Sequence, residues 1–166
     1  MLSFDLRSLD TQATLVDGVL ASDDAGWLDG DTRPTDGVHV TGRLSAAGPG
    51  RFYFSGRFEG TAANSCRRCL IDVHVPVAED VHLLFADAGT EGSDDDPDVY
   101  VIDAHEHSLD LRPAIREEWL LAVPPLVVCK EDCRGLCPKC GADLNQGTCD
   151  CAPSTDPRWD ALRETP

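Results

Sequence analysis

The sequence predicts an α+β fold that is mainly antiparallel β, a small barrel or a sandwich-like sheet. It adds one helix in the C-terminal half and a cysteine-rich tail. Three observations lead there. Apolar residues alternate with period two through Val38, Val40 and Leu44, through Phe52, Phe54 and Phe58, and through Ile71, Val73, Val75, Val77, Val81, Leu83 and Phe85; this is the repeat of half-buried strands. Helical spacing is clear only in Leu111, Ile115, Trp119 and Ala122, which fall on one face of a helix. Six of the eight cysteines crowd into 129–151. The expected organisation is a β-rich domain over 1–128 with its helix at about 110–122, and a cysteine-rich tail over 129–166 packed on it. A chain of 166 residues buries roughly 70% of its unfolded surface, enough for a core that does not depend on metal.

Taken in order, Phe4, Leu6 and Leu9 indicate a short extended piece, and Leu15, Val16, Val19 and Leu20 a second short element. The Asp- and Gly-rich stretch from Asp23 to Asp36 reads as loop. Two strands flank Gly48-Pro49-Gly50 and form a hairpin, whose phenylalanine row reads as sheet core rather than a base-stacking surface. The motif Cys66-Arg67-Arg68-Cys69 is the turn into the next strand, where Pro76 points to an edge position. Residues 87–98 are acidic and lack the ligand alternation of a calcium loop, so they read as solvated loop. Val99–Ile102 is one more short strand. Asp110 is the expected helix N-cap, Pro113 is tolerated in the first turn, and Pro124-Pro125 ends the helix.

The cysteines run Cys129-x3-Cys133-x3-Cys137-x2-Cys140-x8-Cys149-x-Cys151, with Cys66 and Cys69 upstream. A disulfide framework belongs to secreted chains, and Met1–Asp10 lacks the basic and then apolar pattern of a signal peptide. Cys133-x3-Cys137-x2-Cys140 matches an iron–sulfur spacing of radical enzymes, but those need a large barrel of βα units. Zinc fits best. Cys137-Pro138-Lys139-Cys140-Gly141 has the form of a zinc knuckle, in which two thiolates grip an ion across a tight turn. Eight thiolates make two closed tetrahedral sets, hence one or two structural zinc ions. The preferred division is Cys137, Cys140, Cys149 and Cys151 in one site and Cys66, Cys69, Cys129 and Cys133 in the other. The alternatives are an upstream pair of free thiols or a thiol redox switch.

Net charge is −16, from 30 acids and 14 bases; two zinc–tetrathiolate sites would take it to about −20. Such a field repels nucleic acid as a whole and favours basic partners. Arg67, Arg68, Lys130, Arg134 and Lys139 nevertheless lie in or beside the cysteine groups. They either form a basic island that contacts RNA or offset thiolate charge. Glu117 and Glu118 are neighbours on a helix and point apart, so they read as a solvated face. The five histidines lack metal-ligand spacing, and no phosphate loop or nucleophile elbow is present. No apolar run approaches the ~18 residues of a membrane span. The expectation is a cytoplasmic protein that is not an enzyme, with no membrane and no small-molecule substrate.

C-R-R-C-L after a hairpin, the acidic loop, D-L-R-P-A-I-R-E-E-W-L-L-A-V-P-P-L, C-R-G-L-C-P-K-C-G-A-D-L-N and the closing D-P-R-W-D-A-L-R together resemble the YceD-like family, the large ribosomal RNA subunit accumulation proteins, in its cysteine-rich bacterial form. The resemblance covers the chain from about Val38 onward. It implies a ribosome biogenesis role in synthesis, processing or stability of large-subunit ribosomal RNA, through contact with RNA, with a basic ribosomal protein, or both. The alternative is an acidic chaperone or adaptor for basic ribosomal proteins that never touches RNA.

Overall fold

The computed structural model describes residues 1–90, 96–103, 105–151 and Arg158. These residues comprise seven strands and two helices. The first compact unit contains Met1–Asn64 and Val73–Pro125; the second contains Ser65–Asp72 and the chain from Leu126 onward. The sequence reading divides the chain at 128/129, whereas these units interleave. The Cys66–Cys69 loop belongs to the same unit as the downstream cysteines.

In the first unit, β2 (Thr14–Leu20), β3 (Pro34–Gly48), β4 (Arg51–Ser65), β5 (Asp72–Asp87) and β6 (Val99–Ile102) form one sheet in that spatial order. β2–β3 and β3–β4 are antiparallel hairpin pairs, and β3 and β4 face each other through Val40↔Phe58 and Leu44↔Phe54. The sheet is open, with β2 and β6 at its edges, so a closed barrel is ruled out. β6 runs parallel to β5, which makes the sheet mixed, and it pairs only with Leu84–Asp87. Pro76 therefore lies in a part of β5 that has no β6 partner, a place where its missing N–H costs little.

The alternating side chains of β3 and β4 lead to the core as expected, whereas Ile71 lies before β5 and is half exposed, and Val73 and Val75 are only partly buried. Val38, Val40, Leu44, Phe54 and Phe58 are completely buried, and the phenylalanine row is sheet core. Each such apolar side chain contributes about 1.5–3 kcal/mol by leaving water. The N-terminal reading needs one correction. Only Ser3–Asp5 (β1) is extended; Leu6–Leu9 forms a helical turn (α1), with the Asp5 carboxylate accepting from the Ser8 amide at 3.1 Å. β1 pairs antiparallel with β7 (Ser108–Asp110) in a second, two-stranded sheet.

The helix α2 spans Arg112–Ala122, shorter than the expected 110–122. Leu111 is its N-cap and Asp110 still belongs to β7. The Asp110 carboxylate nonetheless accepts from the Arg112 amide at 3.0 Å, so it satisfies one of the first-turn donors from outside the helix. Leu111, Ile115 and Trp119 are fully buried. A side chain on Gly60 of β4 would come within 2.9 Å of the Trp119 ring, so the bare backbone there makes room for the indole. The indole N–H donates to the Thr32 carbonyl at 2.7 Å. Beside it, Arg116 forks onto Asp31 at 2.7 and 2.8 Å. These bonds fix the loop of Asp and Gly between β2 and β3. In the acidic stretch, 91–95 lie outside the described residues. No described helix is long and apolar enough to cross a membrane.

Candidate metal centre

The second unit is built around sulfur. The turn from β4 to β5 carries Cys66 and Cys69. The Cys66 amide donates to the Ile71 carbonyl at 2.8 Å, and the Leu70 amide returns to the Cys66 carbonyl at 2.9 Å. In Cys137-Pro138-Lys139-Cys140-Gly141 the same two bonds recur. The Cys137 amide donates to Ala142 at 2.8 Å and the Gly141 amide to Cys137 at 2.9 Å. The residue after the second cysteine is left-handed in both loops, with φ +61° at Leu70 and +72° at Gly141. The two loops are thus one knuckle geometry used twice. The glycine announces the downstream copy. The leucine conceals the upstream one, because its Cβ makes this conformation cost about 1–2 kcal/mol.

Two groups of four sulfur atoms result. Cys66, Cys69, Cys129 and Cys133 form one, Cys137, Cys140, Cys149 and Cys151 the other, and within each group the sulfurs lie within 4.8 Å of one another. None of the eight cysteines is in a disulfide. In the first group Cys66 and Cys133 are 3.9 Å apart, and Cys69 and Cys129 3.6 Å. A tetrahedral ion with bonds of about 2.3 Å sets its sulfurs about 3.8 Å apart. The donor set and its spacing therefore fit a four-thiolate metal ion in each cluster. Three cysteines of the first group are buried, whereas Cys140 in the second is exposed.

The backbone also supports thiolate charge. Burial pushes the Cys66 thiol up, but amides of Cys69, Arg68 and Cys129 outweigh it and bring it down to about 6. Amides of Cys140 and Lys139 lead in lowering Cys137 to about 6. Deprotonated sulfur is the form that binds metal. Burial and the neighbouring cysteines raise Cys129 to about 12. A divalent ion among crowded sulfurs favours their deprotonated form.

All five basic residues singled out from sequence, Arg67, Arg68, Lys130, Arg134 and Lys139, are exposed. Arg68 has a structural role that sequence reasoning missed. Its guanidinium donates to the carbonyls of Glu131 and Cys133 at 3.1 and 2.9 Å, clasping the Cys129–Cys133 segment to the first knuckle. Lys130 lies 3.7 Å from Asp132, an exposed and weak pair. Asn145, also unmarked in the sequence, donates toward the Cys133 sulfur at 3.5 Å. Leu70, Ile71 and Leu126 are exposed around the first cluster, at 64%, 50% and 66%.

The charge is split sharply between the units. The second holds seven of the fourteen bases and eight of the thirty acids. It is therefore at −1 before its thiolates are counted, while the first unit carries −15.

Paired four-cysteine clusters of this kind define a small module that could hold two metal ions. Residues 54–164 match the family described as large ribosomal RNA subunit accumulation protein YceD, and the chain belongs to that family. It is 32% identical over 152 residues to an uncharacterized protein of Mycobacterium tuberculosis (strain ATCC 25618 / H37Rv), a match covering 88% of this chain. The chain spans 65% of that relative's length. It is also 27% identical over 141 residues to the uncharacterized protein YlbN of Bacillus subtilis (strain 168), covering 84% of this chain and 80% of the relative. No solved structure matches.

Proposed function

We propose that this protein is a non-enzymatic, cytoplasmic ribosome biogenesis factor that promotes synthesis, processing or stability of large-subunit ribosomal RNA. Its two cysteine clusters hold structural zinc. The observation that carries this reading is the family match across both the sheet and the cysteine module. Closed four-sulfur sets chelating across knuckle turns fit zinc in a structural role, and elemental analysis separates it from iron, which takes the same donors.

The metal module is the RNA-facing part. Once folded it displays Arg67, Lys130, Arg134 and Lys139, while Arg68 braces the loop from which Arg67 projects. With two zinc–tetrathiolate sites this unit is at about −5, against −15 for the first unit, so it repels a polyanion far less. A few phosphate contacts give salt-dependent binding of low sequence specificity. The test is binding of precursor large-subunit RNA by wild type and by Arg67→Glu combined with Arg134→Glu, each against salt. Arg68 is left intact because its loss also disturbs the cluster. The double variant is expected to bind less tightly, with a log–log salt slope shallower by about 0.7 per lost contact. Equal affinity and slope in the two proteins would remove the RNA contact from the proposal.

A second reading is supported by the −15 of the first unit and by the exposed Leu70, Ile71 and Leu126. In it the protein is an acidic chaperone or adaptor for a basic ribosomal protein and makes no RNA contact. Crosslinking in cells separates the two: RNA adducts at the cysteine loops favour the first reading, and exclusively protein adducts the second.

A further inference from the structure

The two clusters share a stretch of backbone. Cys133 belongs to the first and Cys137 to the second, with three residues between them. The chain then turns at the knuckle and comes back. Leu136 pairs antiparallel with Asp143, and the Leu144 amide donates to the Gly135 carbonyl at 2.9 Å. This return brings Asn145 beside Cys133, eight residues after a ligand of the second cluster.

The Asn145 side chain is held on every side. Its Oδ1 accepts from the Arg134 amide at 2.9 Å. Its Nδ2 donates to Asp143 Oδ1 at 2.7 Å and toward Cys133 Sγ at 3.5 Å. Its own amide donates to Asp143 Oδ1 at 2.9 Å. The segment that carries it is bracketed by Cys140 and Cys149, both ligands of the second cluster. A metal ion there ties down both ends of the segment and so fixes the place of the N–H that faces sulfur in the first.

We propose that Asn145 is a positioning residue that couples the two metal centres. Occupancy of the Cys137/Cys140/Cys149/Cys151 cluster sets Asn145 against Cys133 and thereby tightens metal at the Cys66/Cys69/Cys129/Cys133 cluster. Donors to ligand atoms fix orientation and moderate thiolate charge, and their loss commonly weakens metal affinity roughly 10–100-fold. The second cluster, with Cys140 exposed, is the one open to exchange, and the buried first cluster feels its state through Asn145. The inference rests on the reading of both clusters as metal sites.

The test uses the full-length zinc-loaded protein and follows release to a chromophoric chelator. Cys69→Ser and Cys149→Ser each remove one cluster and so assign the release phases. Asn145→Asp keeps the acceptor for Arg134 and loses the donor to sulfur. The expected result is release from the first cluster roughly 10–100-fold faster in Asn145→Asp, with the second cluster unchanged. Cys149→Ser should speed release from the first cluster by a similar factor, and Asn145→Asp added to it should speed release no further. An unchanged first-cluster rate in Asn145→Asp, or independent multiplication of the two effects, overturns the coupling. Wild type that binds no metal at either cluster overturns the metal reading itself, which is a different outcome. Far-ultraviolet circular dichroism and the molar zinc content of each variant show that the cluster being timed has formed.

Discussion

Leu70 and Gly141 occupy the same place in two knuckles, yet only one of them suits it. A left-handed residue following the second cysteine is what allows the amide to return to the first. Glycine adopts that conformation freely and leucine does not. The leucine side chain is largely exposed, so little burial is lost by removing it. Leu70→Gly is therefore expected to stabilise the second unit by about 1 kcal/mol, seen as slower chelator-driven release from the first cluster. A faster release would mean that the leucine side chain itself supports the cluster. Sequence reading finds the downstream knuckle through its Cys-x2-Cys-Gly spacing, and at C-R-R-C-L it finds a turn with two metal ligands but not the knuckle geometry. No local rule marks a leucine that the surrounding backbone forces into an unfavourable conformation. Arg68 and Asn145 are hidden for a related reason. Both act through contacts between segments distant in sequence or folded back on themselves, which a linear pattern does not display.

At the scale of elements, α2 shows how charge assists packing. Asp31 and Arg116 form a forked pair whose side chains are only 8% and 18% exposed. The Arg116 hydrogen bonds hold the Asp31 carboxyl below its usual value against the opposing effect of burial. A carboxylate whose pKa is lower in the folded state stabilises above its unfolded pKa of about 3.9, and that contribution is lost as pH falls through the folded value. Asp31→Asn should consequently melt below wild type at neutral pH. The gap should stay constant down to about pH 5 and close on further acidification. Thermal melts across pH 2.5–7 (about the range needed to span both states) check this; a gap independent of pH would assign the loss to packing alone. The strands β3, β4 and β5 and the helix α2 are legible because one periodicity runs through each. α1 and β7 span only 4 and 3 residues, too few for periodicity to register. The parallel placing of β6 is likewise invisible, since a four-residue apolar strand carries no mark of its direction. Asp110 fails as the cap for a more specific reason: β1 claims its backbone for pairing, and only its side chain serves the helix.

Over the whole molecule, apolar packing and the cysteine clusters fall in different units. The hydrophobic core runs from Leu2 to Val123 and draws only on the first unit. Among the described residues of the second unit, the buried apolar side chains are four cysteines and Val127. Small modules of that kind take their folding free energy from the ion. Adding a strong chelator is therefore expected to abolish amide-exchange protection in 65–72 and 126–151 while protection in β3, β4 and α2 persists. Hydrogen exchange read segment by segment decides it, and simultaneous loss in both units would show that the sheet also depends on metal.

The first cluster takes two sulfurs from each of two stretches, Cys66 with Cys69 and Cys129 with Cys133. During synthesis the early pair is made long before the late one. While the chain grows through the rest of the sheet and α2, C-R-R-C offers an ion half of a coordination shell. Tight capture must wait until Cys133 has emerged. Were an ion held there, the centre would act as a checkpoint on passage through this stretch: a product interrupted in that interval would keep an open pair of thiols, and only one translated past Cys133 would close the site.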